Sequence, residues 1–185
     1  MGEIPVTLVK LKAMAQEQLN IYQLNVNGNS LYEERLVVTT KGQNLEYTRA
    51  LSLVVSIDLS DNNLSGEFPQ GISRLIGLVV LNLFKSHITV QIPQSISLLH
   101  QLSSLDLSSN KLSGIIPSSM PSLTFLSYLN LSNNNFFGKI PFIGQMTTFT
   151  ESTFVENFDL CGAPLVTKCQ DDNPNKKLSA IEDKK

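Results

Sequence analysis

Four consecutive segments of 24 residues, in register and without insertion, dominate this chain. They begin at Val54 (VVSIDLSDNNLSGEFPQGISRLIG), Leu78 (LVVLNLFKSHITVQIPQSISLLHQ), Leu102 (LSSLDLSSNKLSGIIPSSMPSLTF) and Leu126 (LSYLNLSNNNFFGKIPFIGQMTTF). A fixed period of this length predicts a solenoid, in which each unit buries its apolar face only against its neighbours. An extended binding surface is the natural use of such a coil.

Within each unit the apolar positions alternate before they spread. Ile57, Leu81, Leu105 and Leu129 are followed two residues later by Leu59, Leu83, Leu107 and Leu131. A spacing of two places both side chains on one face of a short strand, so stacked units predict a parallel sheet. Leu64, Ile88, Leu112 and Phe136, then Phe68, Ile92, Ile116 and Ile140, fill the far side of the coil. The fold class is a repeat solenoid, with short parallel strands on the concave face and turns and 3-10 segments on the convex face.

Three polar or special columns shape the bends. Asn62, Asn110 and Asn134 occupy one position, where an amide can donate to and accept from main-chain groups of adjacent turns. Pro69, Pro93, Pro117 and Pro141 fix φ where the chain turns onto the convex face. Gly66, Gly114 and Gly138 suit a tight or left-handed turn.

The second unit breaks this pattern. Ser86 replaces the asparagine, Val90 replaces the glycine, and Phe84-Lys85 stand where other units carry small polar residues. Ser86 forfeits a ladder bond worth about 1 kcal/mol, and Val90 suits a positive φ poorly. Drift in a tolerant repeat and a specialised contact patch both explain the departure.

The formal charge of −2, from 14 basic and 16 acidic residues, gives no electrostatic footprint for nucleic acid. No apolar run of about 20 residues exists to span a membrane. The opening MGEIPVTLVKLK lacks a signal peptide's apolar core and cleavage site. With its extracellular-looking repeats, the chain reads as a piece of something longer.

Catalysis is not expected. His87 and His100 lie in different units at nonequivalent positions, with no nucleophile motif beside them. Asp58 and Asp106 share a strand position with Asn82 and Asn130, so that position requires no proton transfer. No phosphate loop and no metal-ligand spacing appears, and no cofactor is expected.

The unit LxxLDLSxNxLSGxIPxxxxxLxx resembles the plant-specific extracellular leucine-rich repeat. With the flanks YEERLVVTTKGQNLEYTRA and FTESTFVENFDLCGAPLVTKC, residues 30–185 resemble the membrane-proximal part of plant receptor-like proteins. The likeness is to the branch of receptors for a fungal ethylene-inducing xylanase and for Verticillium resistance. The resemblance divides the chain into an island-like segment at 1–50, four repeats at 51–149, a cap at 150–169 and a polar tail at 170–185.

Tyr32, eight residues, then Lys41-Gly42 is similar to the pattern that closes the family's non-repeat island. Leu36–Thr40 and Asn44–Thr48 read as two strands around a Lys41-Gly42-Gln43 turn. Tyr32 and Lys41 either pack this hairpin or contact a partner. Ala13–Leu19 suits a short helix and Asn27-Gly28 a turn. The resemblance also implies a disulfide between Cys161 and Cys169, securing a C-terminal cap in an oxidising compartment. It places an acidic stretch, a membrane helix and a short cytoplasmic tail after the cap, and this chain stops before that helix. Asn63 and Asn130 head N-x-S sequons and are candidate glycan carriers, and the tail 170–185 has the composition of a disordered segment.

The resemblance implies a recognition module of a cell-surface receptor-like protein in plant defence. Its partners would be a protein or peptide ligand and a co-receptor receptor kinase. Outward strand positions are the candidate contacts: Val80, Asn82, Phe84 and Lys85 in the second unit, Tyr128 and Asn130 in the fourth, with Tyr32, Lys41 and Gly42 upstream. A soluble inhibitor resembling polygalacturonase-inhibiting repeat proteins and an inert truncated fragment are the alternatives.

Overall fold

The structure is a computed structural model. It describes residues 2–4, 6–11, 15, 36–40, 43–47 and 55–169. The segments at Ala13–Leu19 and Asn27-Gly28, the tail 170–185, and Tyr32, Lys41 and Gly42 lie outside them.

Strands β1 (Leu36–Thr40) and β2 (Gln43–Tyr47) pair antiparallel, Leu36 opposite Tyr47 and Thr40 opposite Gln43. The repeats then supply one short strand each to a parallel sheet: β3 (Ser56–Asp58), β5 (Val80–Asn82), β7 (Ser104–Asp106) and β9 (Tyr128–Asn130). Register advances by one period per strand, as in Leu81 opposite Leu105 and Leu105 opposite Leu129. The apolar residues of these strands face a core that also holds Phe68, Ile92, Ile116 and Ile140. Prolines precede the turns on the far side: Pro69 (φ −64°) and Pro93 (φ −71°) lead into 3-10 segments Gln70–Arg74 and Gln94–Leu98.

The sequence reading placed only turns and 3-10 segments opposite the first sheet. The structure adds a second parallel sheet there, in the order β11-β10-β8-β6-β4. Its strands are β4 (Ser65–Glu67), β6 (His87–Val90), β8 (Lys111–Gly114), β10 (Asn135–Lys139) and β11 (Asp159–Cys161). A left-handed residue at φ 55–58° redirects the chain in every turn, and the residues after it extend and pair with the neighbouring turn.

The amide contacts are the same at each site. Asn110 accepts from the N–H of Ile88 (3.1 Å) and donates to the carbonyls of Leu83 (2.8 Å), Leu107 and Ser108. Asn134 accepts from Leu112 N–H and donates to Leu107, Leu131 and Ser132. Asn62 departs from this pattern and donates to the Ser60 carbonyl of its own turn. Its position explains the difference: it lies in the first of the four units, with no in-register 24-residue unit before it.

An insertion before that unit is visible from the other end. Gly2-Glu3-Ile4-Pro5 repeats the motif Gly66-Glu67-Phe68-Pro69. Accordingly Glu3 bridges Ser65 in parallel, Gly2 accepts from Ser65 N–H (2.9 Å), and Ile4 is buried in the common core. The 3-10 turn Val6–Lys10 packs on its counterpart Gln70–Arg74. Corresponding residues here lie 64 apart instead of 24. Residues 2–11 are thus the far half of a repeat, stacked directly on the first full unit, with a long insertion between them.

The cap continues the coil as a further turn. Asn157 accepts from Phe136 N–H (3.0 Å) and donates to Leu131, Phe154 and Val155, so it extends the asparagine column. Leu131 N–H donates to Thr153 and Asn133 N–H to Val155, as Leu107 and Ser109 do to Asn130 and Ser132. Asn157 follows Asn134 by 23 residues instead of 24, which hid it from the period. β11 adds to β10, Phe137 opposite Asp159, and the Cys161–Cys169 disulfide closes the end with Cα atoms 5.1 Å apart.

The second unit is defective at the positions its sequence marks. Val90 has φ +71°, where Gly66, Gly114 and Gly138 lie at +97°, +86° and +84°. A β-branched residue forced into this region stores about 1–3 kcal/mol of strain. The buried Ser86 Oγ has no hydrogen-bond partner, and neither does the adjacent His87 Nδ1. Restoring the column with Ser86→Asn and Val90→Gly together should stabilise the fold by about 2 kcal/mol. A melting temperature higher by about 4–8 °C follows for a chain of this size. An unchanged melting temperature would contradict this account of both positions.

Candidate recognition face

The first sheet presents its non-core residues between two polar columns. At the end of each strand an Asp or Asn turns its side chain onto the next residues. Asp58 accepts from Ser60 N–H and Oγ–H, Asp106 from Ser108, and Asn130 from Ser132 in the same way. These Asx-type bonds fix the corner that leads to the asparagine column. The residue just before that column is left-handed in every turn: Asp61, Lys85, Ser109, Asn133 and Glu156 have φ between 55° and 58°. Lys85 is therefore placed by a backbone conformation common to all turns.

Two of the expected contact residues are not available. Val80 is buried (2 % exposed), held in register between Ser56 and Ser104 of the flanking strands. Asn82 is likewise buried (6 % exposed), with its amide spent inside the protein. Its Nδ2 donates to Asp58 Oδ2 (3.2 Å), and its Oδ1 accepts from Phe84 N–H (3.1 Å). Both therefore support the face instead of forming it.

Four expected residues do reach solvent. Phe84 is 38 % exposed, and Lys85 forms an exposed ion pair with Asp61 (2.9 Å). Such a pair contributes little to stability but holds the charge beside the ring. Tyr128 and Asn130 are half-buried on β9. One strand, β7, separates the second unit's contacts from these, so the two groups stand about 10 Å apart across the sheet.

Tyr128 is held by an adjacent strand. Its phenol donates to Asp106 Oδ2 (3.0 Å). Burial, then the Asp106 charge and its hydrogen bond, raise the phenol above its ordinary value of 10.0, while a hydrogen bond from Asn130 opposes the shift. The phenol is thus fully protonated at neutral pH and keeps donating.

Beside Tyr128 a cleft of 330 Å³ opens between β9 and the turns of the cap. Ser127, Tyr128, Leu129 and Asn130 form one wall, and Thr148, Phe149, Thr150, Ser152 and Thr153 the other. The cap residues were missed because the 24-residue alignment ends at Phe149 and the next turn is one residue short. Val155, 38 % exposed, was missed for the same reason: it occupies the position of Phe84 in that turn. Of the sequon asparagines, Asn63 is exposed, whereas Asn130 lies in the cleft wall with its Oδ1 committed to Ser132. Among the described residues no three His, Cys, Asp or Glu side chains gather as a metal site, and no helix is long and apolar enough to cross a membrane.

The fold with this stacked register is a leucine-rich repeat solenoid. The family profile described as Leucine Rich Repeat matches residues 54–75, 101–123 and 125–145, within the first, third and fourth units and the turn between the second and third. The chain is similar to plant receptor ectodomains. It is 40% identical over 61 residues to Receptor-like protein 34 of Arabidopsis thaliana, which covers 32% of this chain and 6% of that protein. A chain from the BIR3–SERK2 complex of Arabidopsis thaliana superposes with a TM-score of 0.57 at 41% identity, covering 61% of this chain and 59% of that one. The LRR ectodomain of the Arabidopsis receptor kinase HAESA, in complex with an extended IDA peptide hormone, gives 0.53 at 38% identity, covering 62% and 19%. The chain thus spans a small part of the curated relative and less than two thirds of each of these structures.

The raised Tyr128 phenol has a stability consequence. Because the folded value lies above the unfolded one, its contribution is complete below pH 10 and is lost as pH rises through the folded value. Tyr128→Phe should therefore flatten the alkaline fall in melting temperature while leaving the neutral value within about 1 kcal/mol of stability. An alkaline limb unaltered by Tyr128→Phe would contradict the Asp106 coupling.

Proposed function

We propose that this chain is a recognition module from the extracellular part of a plant cell-surface receptor-like protein. It binds a protein partner, a peptide ligand or a co-receptor kinase ectodomain, across the first sheet and the cap. The carrying observation is that Phe84, just after β5, and Tyr128 on β9 both reach solvent on one face; the Phe84 backbone N–H donates to Asn82 and the Tyr128 phenol to Asp106. Exposed aromatics are efficient anchors, and the tethered Tyr128 has little side-chain freedom left to lose on binding.

Several features support this setting. The disulfide at the cap suits an oxidising compartment. The similar structures include a BIR3–SERK2 complex and a HAESA ectodomain with a peptide hormone, which illustrate both partner types on this fold. Defence signalling, in the branch of xylanase and Verticillium receptors, is the biological context we assign. The inserted stretch with Tyr32, Lys41 and Gly42 is a second proposed contact, and glycan is assigned to the exposed Asn63.

Calorimetric titration of the oxidised chain with a plant co-receptor kinase ectodomain tests this reading. Saturable binding should appear and weaken at least about tenfold when Phe84 and Tyr128 are both changed to Ala, the loss of one modest hot spot. A folded double variant with full affinity would show that the face lies elsewhere.

A further inference from the structure

Six of the nine residues lining the cleft beside Tyr128 carry hydroxyls, a seventh is the Asn130 amide, and none is charged. Three of the hydroxyl protons are committed within the protein. Ser127 Oγ–H donates to the Ser103 carbonyl (3.1 Å), Thr148 Oγ1–H to the Gln145 carbonyl (2.8 Å), and the Tyr128 phenol to Asp106 Oδ2 (3.0 Å). Their oxygens keep lone pairs that can accept. Donors remain as well. The Thr150 and Ser152 hydroxyls share one bond at 2.8 Å, which uses one of their two protons. Asn130 spends its Oδ1 on Ser132 and keeps its amide N–H groups at the cleft wall.

Such a lining discriminates by charge through desolvation. A carboxylate, phosphate or ammonium seated here gives up water with no opposite charge in the lining to offset the loss. A neutral group that both donates and accepts has no such cost. The apolar part of the lining narrows the choice further. Buried Leu129 and Phe149 supply it, and the exposed Ser127, Thr148, Thr150 and Ser152 stand around them. A fitting ligand therefore joins an apolar side to many hydrogen-bonding groups. A side-chain amide offers one acceptor oxygen and two donors at a single end. A sugar ring has C–H faces and, around its edge, hydroxyls that each donate and accept.

We infer that this cleft binds one neutral sugar residue, its hydroxyls held between β9 and the turns of the cap. The volume of 330 Å³ suits a single ring and is at the small end for small-molecule sites. The site goes beyond the protein-binding role proposed above and does not depend on it. Tyr128 belongs to both, so a sugar seated here adjoins a protein bound on the first sheet. Two sources share this chemistry: the end of a free neutral oligosaccharide, and a glycan carried by a partner protein.

The test is an NMR titration of the intact, oxidised chain with methyl galactoside and methyl glucoside. The uronate and amino sugar of each ring add a negative or a positive charge, and propionamide stands in for a partner's Asn or Gln side chain. A neutral glycoside should give saturable shifts concentrated at Tyr128, Asn130, Thr150 and Ser152. Its charged counterparts should bind at least about tenfold more weakly. Ser152→Ala, an exposed change outside the core, should weaken the glycoside about threefold, the loss of one hydrogen bond, with the melting temperature kept. Tighter binding of a longer neutral oligosaccharide supports a free chain as the source. A co-receptor ectodomain whose affinity falls on enzymatic deglycosylation supports a partner's glycan. No shifts from either glycoside, charged counterparts bound as tightly, propionamide bound in their place, or indifference to Ser152→Ala would overturn the inference. Glycoside binding by a chain that ignores co-receptor ectodomains would fault the co-receptor arm of the function and leave the sugar site intact.

Discussion

Side-chain amides that cross the turn boundary, at Asn110, Asn134 and Asn157, tie successive turns of this coil together. A solenoid turn bends the main chain twice in 24 residues, and each bend strands carbonyls and N–H groups that helices or long strands would pair. Asn110, Asn134 and Asn157 absorb this deficit, each accepting from the preceding turn and donating both back across the turn boundary and within its own turn. The left-handed residue and the second-sheet strand recur even at Lys85 and β6, where Ser86 stands in the column, so the amide braces a bend that the backbone itself adopts. Leucines fill the space, but any apolar residue of suitable volume could do that. The amide braces the bend around it.

The second turn, which lacks this brace, differs in its surface as well as its interior. Ser86 cannot reach across, so its hydroxyl and His87 Nδ1 stay unpaired, and Val90 is held in a backbone conformation suited to glycine. This turn also carries Phe84 and Lys85 on the recognition face. The same turn therefore gives up internal bonds and displays an aromatic ring beside a charge. The cleft at the cap lies at the other end of the face, lined by hydroxyls, the Asn130 amide, and the rings of Tyr128 and Phe149.

Much of this architecture was legible in the residues themselves. The period, the core columns and the left-handed turn expected at Gly66, Gly114 and Gly138 follow from side-chain volume and φ preferences, which act locally. Two further turns escaped because their signals are broken. Gly2-Glu3-Ile4-Pro5 is half a repeat cut off by the insertion, and Asn157 sits one residue early. The second sheet escaped because its short strands are defined by pairing with the neighbouring turns and not by alternation within one segment. Of the site, solvent access at Phe84, Tyr128 and Asn130 followed from alternation, and Lys85 was named as the neighbour of Phe84. Burial of Val80 and Asn82 did not, since it depends on flanking strands and on the Asn82–Asp58 bond.

Residue-resolved hydrogen exchange on the native chain tests the central role of the amide most directly. The N–H groups of Ile88, Leu112 and Phe136, each donating to an asparagine Oδ1, should be among the slowest to exchange. The equivalent N–H of Leu64, which faces Ser86, should exchange markedly faster. Equal protection at all four would mean that apolar stacking alone holds the turns, and that the asparagine column is a passenger.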